Sequence, residues 1–137
     1  MASSSQTPVI VPDAPPSPAS FSSGIVSGRL LQVSGQGPLD SSGAVLADLD
    51  VEGQTTVTLD HVRRILETGG GSFADVVMLR VYLTDRADFA GMNRAFEKYV
   101  AVHRKGFGTA RTTVMVGLPF EGMLVEIDAL AVLPETE

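Results

Sequence analysis

The stretch from Gly108 to Val132, GTARTTVMVGLPFEGMLVEIDALAV, carries Arg111, Glu126 and Asp128 among residues otherwise suited to a core. An arginine fork is the natural bidentate partner of a carboxylate. A glutamate nearby can orient or deprotonate a water. Two readings fit this pattern: a site for a small anionic ligand, and an Arg111–Glu126 ion pair across an oligomer interface. Other chemistry-bearing types are sparse. His61 and His103 fall on or at the end of predicted helices without a partner at metal-ligand spacing, which points to surface roles. The TGGGS run at 68–72 lacks the Lys-Ser/Thr of a P-loop and the preceding strand of a dinucleotide site, so it reads as a helix cap. With no cysteine there is no disulfide, no thiolate metal site and no cysteine nucleophile in this chain.

The elements that must position these residues are legible from periodicity. Val51, Thr55, Leu59, Val62 and Leu66 recur at helical spacing before the glycine run. Phe89, Met92, Phe96, Tyr99 and Val100 do the same in a second helix. FSSGIVSGRLLQVSGQ reads as a hairpin broken at Ser27-Gly28, and DVVMLRVYLTD as a long strand. In that strand Val77, Leu79, Val81 and Leu83 point one way and Val76, Met78, Arg80 and Tyr82 the other. The Gly108–Val132 stretch reads as a closing hairpin. The order β-β-α-β-α-β-β predicts an α+β domain, a mixed sheet with two helices packed on one face.

Strand alternation then gives the closing strands two faces. Met123, Val125, Ile127, Ala129 and Ala131 are continuously apolar and suit the helix side. Read as a hairpin, the strands put Arg111, Thr113, Glu126 and Asp128 together on the opposite face, beside Arg80, Met78, Tyr82, Met115 and Leu124. Such a half-apolar face needs cover. Sister subunits are the simplest cover, with the charges lining a cleft between them. Within that frame Asp128 reads as the partner of an arginine such as Arg80, and Tyr82 and Tyr99 as packing residues.

At 137 residues the chain is one domain. Residues 1–13 read as a flexible N-terminal segment, in which TPVIV allows a short edge strand, and 14–137 as the single domain. The net charge of −6 and scattered cations argue against a nucleic-acid partner. No apolar run reaches the ~20 residues of a membrane span, and the N-terminus has no secretory pattern. A cytoplasmic protein acting on a small molecule is the expectation.

Five segments in one order and spacing then carry a resemblance: VSGQGPLD, GQTTVTLDHVRRIL, ADVVMLRVYLTD, FAGMNRAFEKY and ARTTVMVGLPFEGMLVEIDALAV. The chain resembles the reactive intermediate deaminase family (Rid, RidA/YjgF) from about Ala14 to Val132. The resemblance implies a chorismate-mutase-like domain assembled as a homotrimer, with active sites between subunits. It implies hydrolysis of enamines and imines such as 2-aminoacrylate to 2-keto acids and ammonia, with no cofactor and no metal. By position, Arg111 is similar to the arginine that grips the substrate carboxylate and Glu126 to the residue that activates water. Phe21, Ser34, Gly35, Asn93 and Thr113 match positions around the pocket. Phe21 stands where many members have Tyr, Thr113 where Cys is frequent, and the loop before Arg111 is one residue longer and lacks the usual Pro. These departures leave open a specialised deaminase of a bulkier, aminomuconate-like acid. A non-catalytic trimeric ligand-binding module and a ribonuclease or translation inhibitor are the rival classes.

Overall fold

The computed structural model describes residues 5–14 and 20–135. Six strands form one sheet: β1 (Gln6–Val9), β2 (Gly24–Ser27), β3 (Leu30–Gln36), β4 (Val76–Leu83), β5 (Ala110–Met115) and β6 (Val125–Val132). Two helices, α1 (Val51–Thr68) and α2 (Phe89–His103), pack on each other and on one face of it. The spatial order is β1-β2-β3-β6-β4-β5, antiparallel except for the β4–β5 pair. No helix among the described residues is long and apolar enough to cross a membrane.

Local chemistry explains the elements. The β2–β3 hairpin turns at Gly28, whose φ of +60° suits a residue without Cβ. Helix α1 starts where the Asp50 carboxylate accepts the Gly53 N–H at 2.9 Å, a cap worth about 1 kcal/mol. Its end is a Schellman motif: Gly70 sits at φ +100° and donates to the Glu67 carbonyl, and Gly71 donates to Leu66. The glycine run is therefore a helix stop, as its composition suggested. The predicted stripe of α1 is buried in full, joined by Ile65 and by the polar Gln54 and Thr58. On α2, Met92, Phe96 and Tyr99 are buried, whereas Phe89 stays 39% exposed. Together with Leu31, Val33, Leu79, Val81, Leu83 and the inward residues of β6 they form one core. Each fully buried large aliphatic side chain contributes roughly 1.5–3 kcal/mol of transfer free energy.

Three features differ from the sequence reading. Gln6–Val9, inside the stretch expected to lead in flexibly, is the edge strand that TPVIV also allowed, paired with β2 from Gln6↔Ser27 to Val9↔Gly24. In β4 the register slips between Val76 and Met78, so Val76 joins Leu79, Val81 and Leu83 inside while Val77 is 45% exposed. One extra residue in a strand inverts alternation beyond it. The third concerns the closing strands. They are not a hairpin: β5 pairs in parallel with β4, and β6 lies between β3 and β4.

The connection between β5 and β6 is held by a residue with no counterpart in the sequence reading. The Gln54 amide is fully buried, donates to the Gly122 carbonyl at 2.9 Å and accepts the Leu124 N–H at 2.8 Å. It clamps the loop leading into β6 onto α1. Periodicity marks Gln54 as inward-facing only once its neighbours Val51 and Thr55 are placed; its partners lie about seventy residues away in sequence.

Candidate functional site

Arg111 opens β5 one residue in, paired in register with Leu79. Paired residues share a face, so Arg111 and Thr113 point toward the helices. Because β5 is the edge strand, the helices cover it only in part, and the guanidinium is half-buried. Its carbon lies 4.8 Å from the ring centre of Phe96 and 5.9 Å from that of Phe89, and Nη1 is 3.9 Å from Met92 Sδ. Phe89, Met92 and Phe96 follow one face of α2 at i, i+3 and i+7, and Asn93 shares that face, half-buried. Aromatic faces hold a guanidinium flat without neutralising it. Among the described residues no carboxylate stands within 4.0 Å of Arg111. Burial lowers its pKa from the ordinary arginine value, and the field of Glu97 acts the other way. Thr113, next on the same face, has its hydroxyl buried without a hydrogen-bond partner among the described residues.

Glu126 belongs to the other face. It pairs in register with Tyr82, and Asp128 with Arg80. Asp128 is fully engaged: Arg80 Nε donates to it at 2.8 Å and the Tyr82 hydroxyl at 2.8 Å. Asp128 and Arg80 are thus the structural ion pair the sequence pointed to, while Tyr82 adds a directed hydrogen bond to its packing. Glu126 is half-buried, and burial first, then the neighbouring Asp128 charge, raises its pKa above the ordinary carboxylate value. A raised carboxylate is a stronger base once ionised.

The SGQ motif closes over Glu126. Between Val33 and Gln36 the β3–β6 register shifts, a bulge centred on Ser34-Gly35. A Cβ added to Gly35 would meet the end of the Glu126 side chain and push its carboxylate aside, so glycine lets the carboxylate lie against this strand. The bulge is tied down by Ser34, whose hydroxyl donates to the Ser22 carbonyl at 2.6 Å and whose N–H donates to the Ser23 carbonyl at 2.8 Å. Those contacts anchor the segment that carries Phe21, which is 58% exposed.

The structure thus sorts the expected residues into two groups. Phe21, Ser34, Gly35 and Glu126 gather around β3 and β6, whereas Asn93, Arg111 and Thr113 gather between β5 and α2. The expectation that Arg111 and Thr113 share a face with Glu126 and Asp128 is corrected. Alternation was right within each strand, but the relative phase of β5 and β6 was set by assuming they pair with each other. Each instead pairs with β4, and that register fixes the phase.

The histidines serve structure. His61 Nε2 lies 2.7 Å from the Leu39 carbonyl, and the His103 ring stacks 4.2 Å from Tyr99. The Tyr99 hydroxyl donates to Asp60 and accepts from Arg63, so this packing residue also joins α1 to α2. Sequence reasoning missed Arg104, the residue after α2. Its Nη1 donates to the carbonyls of Phe73, Ala74 and Val76 at 3.3, 3.1 and 2.7 Å, and its Nε to Phe107 at 3.2 Å. No local signal marked these contacts, because the carbonyls it meets precede it by about thirty residues and do not belong to α2. The loop it holds forms, with α2, a cleft of about 600 Å³ that has Arg111 in its lining.

Six strands in this order under two helices define an α+β class that includes Escherichia coli proteins of known structure. E. coli TdcF, crystallised with serine bound, superposes with a TM-score of 0.84 at 26% identity, over 93% of this chain and 99% of that one. The E. coli YjgF gene product gives 0.83 at 31% identity, over 92% and 98%. A RutC-family protein of Pyrococcus horikoshii is 32% identical over 123 residues, 90% of this chain and 94% of its own length. The family model described as endoribonuclease L-PSP matches residues 11–133, and the chain belongs to this YjgF/RidA family.

Proposed function

We propose that the protein hydrolyses reactive enamines and imines of small 2-amino acids to 2-keto acids and ammonia. The observation that carries this reading is Arg111: a half-buried guanidinium, held by aromatic rings, with no carboxylate partner among the described residues. A buried charge of that kind calls for an anionic partner, and a substrate carboxylate fits its fork. The serine bound to TdcF, itself an amino acid with a carboxylate, supports the same ligand class. The acidic charge of −6 weighs against the polyanionic substrate of a ribonuclease.

Arg111 and Glu126 lie on opposite faces of one sheet, so they serve one substrate only if two copies contribute. The half-apolar face bearing Tyr82, Leu124 and Leu130 would be covered in the same assembly, for which a homotrimer is the family's form. Arg111 of one copy binds the carboxylate and orients the imine. A proton from solvent reaches carbon in the enamine to give the protonated imine, R–C(=NH2⁺)–COO⁻. A water held by Glu126 of the next copy adds to the imine carbon as the carboxylate takes its proton. Glu126 passes that proton to the carbinolamine nitrogen, and ammonia leaves as the hydroxyl proton returns to the carboxylate, forming the ketone oxygen. Water is the only co-reactant, and the setting is a cytoplasmic pool of such intermediates.

Mixing two variants tests the shared site. Arg111→Ala and Glu126→Ala chains, each inactive alone, are dissociated and reassembled together. If each site draws on two copies, about a quarter of the sites regain both groups and activity returns to that level. No recovery, with mixed assembly verified, rejects the two-copy site.

A further inference from the structure

We infer that the cleft between α2 and the loop at 104–109 receives the side chain of the ligand, and that it selects a flat apolar group over a bare methyl. The inference rests on the proposed role of Arg111 in holding the carboxylate. Two guanidinium–phenyl pairs line this cleft: Arg111 over Phe96 at 4.8 Å, and Arg104 over Phe107 at 5.7 Å. Val100 and Ala101 of α2 complete its apolar lining, and Gly106, at φ +92°, lets the loop turn without a side chain in the way.

Phe107 is the informative residue. It is 78% exposed, an unfavourable place for a phenyl ring in isolation. It is nevertheless fixed, because Arg104 holds its carbonyl through Nε, faces its ring, and is itself anchored on the carbonyls of Phe73 and Ala74, in the turn before β4, and of Val76 at its start. A fixed, exposed ring beside a half-buried arginine offers a stacking surface to whatever Arg111 binds. The volume of about 600 Å³ far exceeds the needs of a three-carbon acid and accommodates an aryl side chain. Glu97 also lines the cleft, and its negative charge disfavours a second carboxylate on the ligand. The chemistry selected is therefore a monocarboxylate imine with a planar apolar side chain.

Titration calorimetry with pyruvate and phenylpyruvate, which share a 2-keto acid head and differ in the phenyl group, tests this on the assembled protein. The wild type is expected to bind phenylpyruvate about tenfold more tightly than pyruvate. Phe107→Ala, at an exposed position that leaves the core intact, is expected to bring that ratio close to one, with Phe107→Leu between. Arg111→Ala is expected to weaken both ligands together. A wild-type ratio near one, or a ratio unchanged in Phe107→Ala, overturns the inference while leaving the carboxylate role of Arg111 standing. Equal binding of both ligands by wild type and Arg111→Ala overturns the role of Arg111, and the inference with it.

Discussion

Two side chains carry the proposed chemistry, and burial perturbs both, raising the pKa of Glu126 toward a stronger base and lowering that of Arg111. Arg111 keeps its charge on an aromatic bed, so truncation to alanine removes the carboxylate grip without unpairing an internal acid. Charge-assisted hydrogen bonds to such a fork are worth a few kcal/mol, so Arg111→Ala should lower kcat/KM by roughly a hundredfold, and Arg111→Lys should recover only part of it. Glu126 acts as base only when ionised, and its pKa is raised above 4.5 by burial and by Asp128. The pH profile of kcat/KM should therefore rise through an acid limb centred above that value, and Glu126→Gln should abolish the limb together with turnover. The stability consequence has the opposite sense. A carboxylate whose folded pKa is raised binds more protons folded than unfolded between the two pKa values, so its contribution to stability falls as pH rises through that window. Thermal midpoints of Glu126→Gln against wild type, measured below and above it, should diverge in favour of the variant at the higher pH.

At the level of elements, the helices and their stops were readable because their signals are local. The stripe Val51, Thr55, Leu59, Val62 and Leu66 is buried as periodicity predicts, and the glycine run ends α1 through backbone geometry at Gly70. Gly70→Ala, which places a Cβ in a left-handed conformation, should cost about 1–2 kcal/mol in chemical denaturation with little effect on activity. Strand pairing was less accessible, because it depends on partners distant in sequence. The alternation of Arg111 with Thr113, and of Glu126 with Asp128, was legible, whereas the parallel crossover through α2 that separates the two pairs was not. The bulge at Ser34-Gly35 was visible as a motif, but its reason, the close approach to Glu126, required the fold. Gln54 shows the same limit. Gln54→Leu should cost about 1 kcal/mol or somewhat more, since it removes the side-chain partner of the Leu124 N–H and the Gly122 carbonyl, and urea unfolding would measure it.

On the scale of the whole molecule, the proposed site needs more than one chain. The two groups it assigns lie on opposite faces of a sheet, and the uncovered face mixes Tyr82, Leu130 and Val114 with the Arg80–Asp128 pair. Under the proposal, assembly would both cover that face and bring the two groups together, tying oligomeric state to activity. Light scattering should report three chains per particle. Val114→Arg, at a position already 40% exposed in the single chain, should yield folded single chains that lose activity. The most direct test of the account is ammonia and keto-acid release from 2-aminoacrylate generated in situ, with wild type compared to Arg111→Ala. The account predicts acceleration over the spontaneous rate that disappears in the variant. Release no faster than the spontaneous rate, or equal acceleration by both proteins, would contradict it.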